Sequence, residues 1–87
     1  MLPFAEDTHL KNALLFARQY AIARPTYNTL KFIQIHGITT NATILGEISV
    51  SLKIPVEATN AWLRVIPHLE RHNGNMETLL MECLCVV

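Results

Sequence analysis

Two histidines and two cysteines in the C-terminal part of the chain have spacings that can bind a metal. His68 and His72 are four residues apart, on one face of a helix, and Cys83 and Cys85 would share one face of a strand. Structural zinc sites more often use cysteines separated by about two to four residues, so we expect no metal and no cofactor. A Cys–His nucleophile pair would need an oxyanion loop, but the three glycines are isolated, so we expect no enzyme.

A second polar pair, Asn60 and Arg64, has side chains that can read DNA bases. Asn pairs at two points with adenine and Arg with guanine, and residues four apart lie one above the other on a helix. Their segment, 58–69, repeats apolar residues at helical spacing, so both side chains face outward. Alternatively, they are only the solvated side of a packing helix. The other candidate DNA contacts are Lys53 and Arg71, at phosphates, and Glu57 and Thr59, beside Asn60.

Four helices are predicted to position these residues. The first covers 7–24 and is ended by Pro25, with Arg24 as a favourable cation in its last turn. The second begins at Thr26, places Leu30 inward and ends at a Gly37 cap. The third covers about 42–53 and turns Leu45, Ile48 and Leu52 inward. The fourth follows Pro55, is kinked by Pro67 and continues to about His72.

The inward stripe of the fourth helix contains Trp62, which we expect to anchor the core rather than to bind a ligand. Asn73-Gly74-Asn75 predicts a turn. The segment 76–87 is ambiguous, because its first half favours helix and its apolar second half favours strand. We predict a short strand or hairpin there.

The two helices before and after Pro55 form the pattern of a helix-turn-helix. The window 45–66 reads LGEISVSLKIPVEATNAWLRVI. It resembles small bacterial winged helix-turn-helix transcriptional regulators in its Glu47-Ile48-Ser49, in its Leu52-Lys53-Ile54-Pro55 turn, where the second residue is usually glycine, and in the apolar pairs of 62–66. The resemblance covers 26–87. It implies a three-helix core with a C-terminal wing and a helix from about Glu57 to His72 that reads the major groove of double-stranded DNA.

Length and charge limit the alternatives. The 87 residues suffice for one domain, spanning 1–87, with a winged helix-turn-helix core at 26–87. Apolar residues make up 51% and charged residues 16%, which argues against a disordered chain. No run of about 18 apolar residues and no export signal is present, so we expect a cytoplasmic protein that does not enter the membrane.

The net charge of zero leaves little general attraction for DNA. We therefore expect a homodimer, which doubles the number of recognition helices. Leu15 and Ile22 lie opposite the main apolar stripe of the first helix, which predicts a dimer contact or, equally, a helix that wraps over the three-helix core. The competing hypothesis is a non-enzymatic adaptor or inhibitor that uses the same winged-helix fold to bind a protein partner instead of DNA. The neutral net charge and Glu57 favour this hypothesis.

Overall fold

The computed structural model describes residues 2–36 and 42–85, with the side chains of 10–36 and 43–83. Along these residues run five α-helices and a 3₁₀ turn, without any strand. The mainly helical fold class is therefore confirmed. The helices are α1 (Leu2–Arg18), α2 (Arg24–Ile35), α3 (Ala42–Leu52), α4 (Val56–Leu69), which continues into the 3₁₀ turn Glu70–His72, and α5 (Met76–Cys85).

Helix α4 lies at the centre of the molecule, because each of the other four helices packs against it. Its predicted apolar stripe is confirmed: the buried residues include Ala58, Ala61, Trp62, Val65, Ile66 and Leu69. Removing one large apolar side chain from water contributes roughly 1.5–3 kcal/mol, so this stripe is a main source of stability. Pro67 lies on the exposed side of α4, where the helix continues past it.

Trp62 is the core anchor that the sequence predicts. Its ring is buried, and its Nε1–H donates a hydrogen bond to the Tyr20 carbonyl at 2.8 Å. The Tyr27 ring approaches the indole edge-on, with the ring centres 6.4 Å apart. Trp62 thereby ties the connection between α1 and α2 to α4.

The predicted boundary between the first two helices was wrong. Helix α1 begins at Leu2 and ends at Arg18, whereas Arg24 begins α2 after the extended residue Ala23. Pro25 lies in the first turn of α2, where its missing N–H would have no partner within the helix anyway. The proline therefore starts a helix instead of ending one, and Arg24 is not a cation of the last turn of α1.

The C-terminal strand or hairpin was also wrong, because residues 76–85 form α5. The Asn75 side-chain oxygen accepts a hydrogen bond from the Thr78 N–H at 3.1 Å, which caps the start of this helix. Leu79 is buried, and Leu80 and Cys83 pack beside it at helical spacing. No wing is therefore present in the described part of the tail.

Helices α2 and α3 match their predicted inner faces. Leu30 is buried, and Leu45, Ile48 and Leu52 are half-buried. The predicted Gly37 cap lies outside the described residues, which exclude 37–41.

A hydroxyl pair joins α3 to α4 inside the molecule. Ser49 and Thr59 are both buried, and their oxygens lie 2.7 Å apart. The Ser49 hydroxyl also donates to the Leu45 carbonyl at 2.8 Å. Because Ser49 has only one hydroxyl hydrogen, Thr59 is the donor between the two side chains.

This assignment predicts unequal costs for the two single variants. Ser49→Ala leaves the buried Thr59 donor without its acceptor and should lower the free energy of unfolding by about 1–2 kcal/mol. Thr59→Val removes the donor itself and should cost less. The double variant Ser49→Ala/Thr59→Val should be more stable than Ser49→Ala alone, as measured by urea unfolding. A double variant that loses the full sum of both single effects would contradict the assignment.

Candidate nucleic-acid interface

The turn between α3 and α4 has three residues, Lys53, Ile54 and Pro55. Lys53 has a φ of 60°, in the left-handed region that favours glycine. Its N–H bonds to the Val50 carbonyl and the Ile54 N–H to the Ser49 carbonyl, both at 3.2 Å. These two bonds close the end of α3 as a Schellman motif.

Pro55 sets the start of α4. Its backbone is extended, with φ −62° and ψ 152°, and its carbonyl accepts the Ala58 and Thr59 N–H groups at 3.0 and 3.2 Å. A proline suits this place because the helix needs no N–H from it. The α3–turn–α4 unit therefore has the short connection of a helix-turn-helix.

The outer face of α4 contains Glu57, Asn60 and Arg64, all exposed. Among the described residues, none of the three has a side-chain hydrogen bond or an ion pair to another side chain. Asn60 and Arg64 are one helical turn apart, so the structure brings this predicted pair to one accessible surface. Their donors and acceptors are available for an external partner.

Helix α1 forms one side of this surface, which the sequence analysis missed. Asn12 and Ala13 of α1 line a shallow depression of about 300 Å³ together with Glu57, Asn60 and Arg64. Asn12 is exposed, and Leu14, two residues further along α1, is buried. The sequence therefore shows Asn12 as a polar residue on an amphipathic helix. Which helix it would face depends on the packing of α1 against α4, which no local pattern reveals.

Two of the candidate DNA contacts already have partners within the molecule. Thr59 is fully buried and bonded to Ser49, so it cannot reach a base. Arg71 is exposed in the 3₁₀ turn, but its guanidinium lies 3.0 Å from the Glu82 carboxylate of α5. Its charge is therefore already partly balanced within the molecule.

The charge of the α4 face is modest. Lys53 is exposed and, within the described residues, it has no ion pair, as is also true of Arg64. With the carboxylate of Glu57, these two cations leave one net positive charge on the face. One net positive charge attracts phosphate only weakly.

A second groove lies on another side of α4, lined by Trp62 and Leu69 of that helix and by Tyr27 of α2. Trp62 is roughly 160° around the helix axis from Asn60 and from Arg64. The Tyr27 hydroxyl donates to Glu70 Oε2 at 2.6 Å, and Lys31 Nζ lies 3.0 Å from Glu70 Oε1. The groove therefore contains a hydrogen-bonded ion cluster.

This cluster shifts two pKa values. Burial raises the pKa of Tyr27 to about 12, with further contributions from the hydrogen bond to Glu70 and from the charge of that carboxylate. The hydrogen bond from Tyr27, followed by that from Lys31, lowers the pKa of Glu70 below its ordinary value. The Glu70 carboxylate thus stabilises the protonated form of Tyr27, and the Tyr27 hydroxyl stabilises the ionised form of Glu70.

Of the four side chains considered as metal ligands, those of His68, His72 and Cys83 are described, and that of Cys85 lies outside the described part of the chain. His72 Nε2 lies 3.5 Å from Glu82 Oε1. Among the described residues no three His, Cys, Asp or Glu side chains are grouped so that they could hold a metal ion. Nor is any described helix long and apolar enough to cross a membrane.

Comparison of the chain with protein-family models, with curated proteins and with solved structures finds no match in any of the three. The interface must therefore be interpreted from its own geometry.

The left-handed Lys53 predicts a stabilising substitution. A residue with a Cβ in this conformation costs roughly 1–2 kcal/mol, and glycine loses part of that gain through its greater freedom in the unfolded chain. Lys53→Gly should therefore raise the free energy of unfolding by about 0.5–1 kcal/mol in urea titrations. Lys53→Ala keeps the Cβ and removes the charge, so it should stay within about 0.5 kcal/mol of the wild type. Equal stabilisation by both substitutions would show that charge, not conformation, is responsible.

The Tyr27–Glu70 pair predicts the pH dependence of stability. The raised pKa of Tyr27 stabilises the folded state below pH 10, and this contribution is lost as pH rises towards 12. Tyr27→Phe should therefore lose less stability over that interval than the wild type. The lowered pKa of Glu70 stabilises the folded state above pH 4.5, and this contribution is lost as pH falls through the lowered value. Glu70→Gln should flatten that acid limb.

Chemical denaturation across the pH range measures both effects. Tyr20→Phe removes a tyrosine hydroxyl outside the ion cluster and serves as the matched control. A Tyr27→Phe profile that parallels the wild type at high pH would contradict the raised pKa of Tyr27.

Proposed function

We propose that the chain is a sequence-specific DNA-binding transcription regulator that reads the major groove with α4. One observation supports this most directly: Asn60 and Arg64 are exposed, one turn apart and, within the described residues, without a side-chain hydrogen bond, on the second of two helices joined by a three-residue turn. The major groove, about 12 Å wide, admits one helix, and side chains in the N-terminal half of that helix contact base edges.

Each side chain of the α4 face has a chemical role in this proposal. Asn60 pairs with adenine, Arg64 with the O6 and N7 of guanine, and Glu57 can accept from the amino group of cytosine. Lys53 contacts a phosphate from the turn. Arg71 is a weaker candidate because a phosphate must compete with Glu82, and Thr59 is excluded by its burial.

The proposed regulator acts as a homodimer. A single neutral chain with one net positive charge on its reading face gains little from phosphate attraction. Two copies would place two α4 helices in successive major grooves, about 34–36 Å apart. The DNA site should then be pseudo-palindromic.

A protein-binding adaptor is the second candidate function. Phe32 and Ile35 of α2 and Val50 of α3 are exposed apolar side chains, and Val50 is 78% accessible. Exposed apolar residues and a neutral net charge are more typical of a surface that binds protein than of one that binds phosphate.

Selection of genomic DNA fragments at physiological salt tests the two functions. The wild type should enrich one pseudo-palindromic motif, and Asn60→Ala/Arg64→Ala should lose that enrichment, because each bidentate base contact supplies about 1–3 kcal/mol of discrimination. Gln34→Ala/Lys11→Ala removes one amide and one positive charge away from the α4 face and should behave as the wild type. Circular dichroism checks that each variant is folded.

The dependence of affinity on salt separates the roles within the interface. Lys53→Gln should weaken binding to all sequences alike and reduce the slope of log affinity against log salt by about 0.9. No enrichment by folded wild-type protein would contradict DNA binding and favour the adaptor function.

A further inference from the structure

The outer face of α3 carries an exposed apolar surface. Val50 is 78% accessible, more than any other large apolar side chain in the described part of the chain. It surrounds an open depression of about 530 Å³ together with Thr43, Gly46, Glu47 and Ser51. These five residues, which we call the α3 patch, share one side of the helix because they are spaced by three, four and seven positions. The patch is therefore a continuous surface that faces outward.

Gly46 lies in the middle of α3 without a reason inside the molecule. Glycine weakens a helix interior relative to alanine, because it loses more backbone freedom on folding. The backbone of Gly46 is helical, so it does not need the left-handed conformation that favours glycine. Within the described residues, no neighbouring group lies within 4 Å of where its Cβ would stand. The space over Gly46 is therefore open to a group from another molecule.

The α3 patch has one negative charge and a positive charge at its edge. Glu47 is the only charged residue of α3, and Lys53 follows the helix directly. Both are exposed, and within the described residues neither has an ion pair. Opposite charges at the two sides of Val50 make the surface complementary to a reversed copy of itself.

We propose that the α3 patch is the contact surface of the homodimer, so that its occupant is a second copy of this chain. The proposal rests on the dimer of the function proposed above, but not on DNA binding. An isologous contact uses the same surface on both copies, and a two-fold axis perpendicular to α3 sets the two helices antiparallel. Val50 of each copy then fills the open space over Gly46 of the other.

This register also brings the unpaired charges together. With Val50 of one copy opposite Gly46 of the other, Lys53 lies four residues, or about 6 Å along the helix, from Glu47 of the other copy. The two long side chains can bridge this span. Because such a pair lies at the exposed rim, it contributes little to affinity, and a phosphate can replace the carboxylate when DNA binds.

The length of α3 limits the strength of the contact. Its 11 residues extend over about 16 Å, whereas stable interfaces bury roughly 800 Å² on each partner. We therefore expect a weak dimer that forms at micromolar concentration and dissociates on dilution.

Sedimentation equilibrium over a range of protein concentrations tests the α3 patch, without DNA and with a reductant that keeps the cysteines as thiols. Val50→Asp should raise the Kd of the dimer about tenfold or more, because dimerisation would remove the new charge from water. Ile35→Asp replaces another exposed apolar side chain, on α2, and should dimerise as the wild type.

Two further variants separate the contact from folding and test the register. Gly46→Gln favours the helix, so it should raise the Tm at a concentration where the wild type is monomeric. The same side chain fills the space over position 46 and should weaken the dimer about tenfold. Glu47→Lys should weaken the dimer by placing like charges together, and adding Lys53→Glu should restore it.

The proposal is overturned if the wild type dimerises and the folded variants Val50→Asp and Gly46→Gln dimerise equally well, since the contact then lies elsewhere, for example around Leu15. A wild type that stays monomeric at every concentration overturns both this surface and the homodimer. A dimer that Val50→Asp dissociates, from a chain that enriches no DNA motif, supports the α3 patch and contradicts only the DNA-binding function.

Discussion

The other four helices all bury apolar residues against α4, so their positions depend on one strip of side chains. Trp62 is the clearest case, because its ring contacts Tyr27 of α2 and its N–H holds the Tyr20 carbonyl after α1. In the described part of the chain, α2 and α3 have no close backbone contact with one another. A change in the apolar face of α4 therefore affects both helices at once, whereas a change on α2 need not reach α3.

The geometry of the α3–turn–α4 unit depends on a few polar details within this apolar arrangement. The Ser49–Thr59 bond fixes how α3 crosses α4, and the left-handed Lys53 fixes where α3 ends. The Ser49–Thr59 bond and Lys53 both lie close to the exposed surface of α4 that contains Asn60. The exposed face of α4 is thus held in place by these hydrogen bonds, while its own side chains have no hydrogen-bond partner among the described residues.

Periodicity was sufficient to predict α4 and the core position of Trp62, because six apolar residues of one stripe agree. It was insufficient at Pro25, since a proline is compatible both with the end of one helix and with the first turn of the next. The prediction of a strand in the C-terminal segment was wrong because a short apolar run has no distinctive period. The cap that Asn75 provides favours a helix there. Thr59 was misjudged and Asn12 was missed because their surroundings come from other helices.

The central position of α4 has a consequence for how the chain acquires its structure during synthesis. Helices of 12 and 11 residues, such as α2 and α3, are marginal on their own in water. Their common partner begins only at Val56, so the N-terminal half of the nascent chain leaves the ribosome before it can bury its apolar residues. Until α4 emerges, that half exposes apolar surface to chaperones and to other nascent chains. Stable packing of α1, α2 and α3 therefore has to wait until α4 has been synthesised.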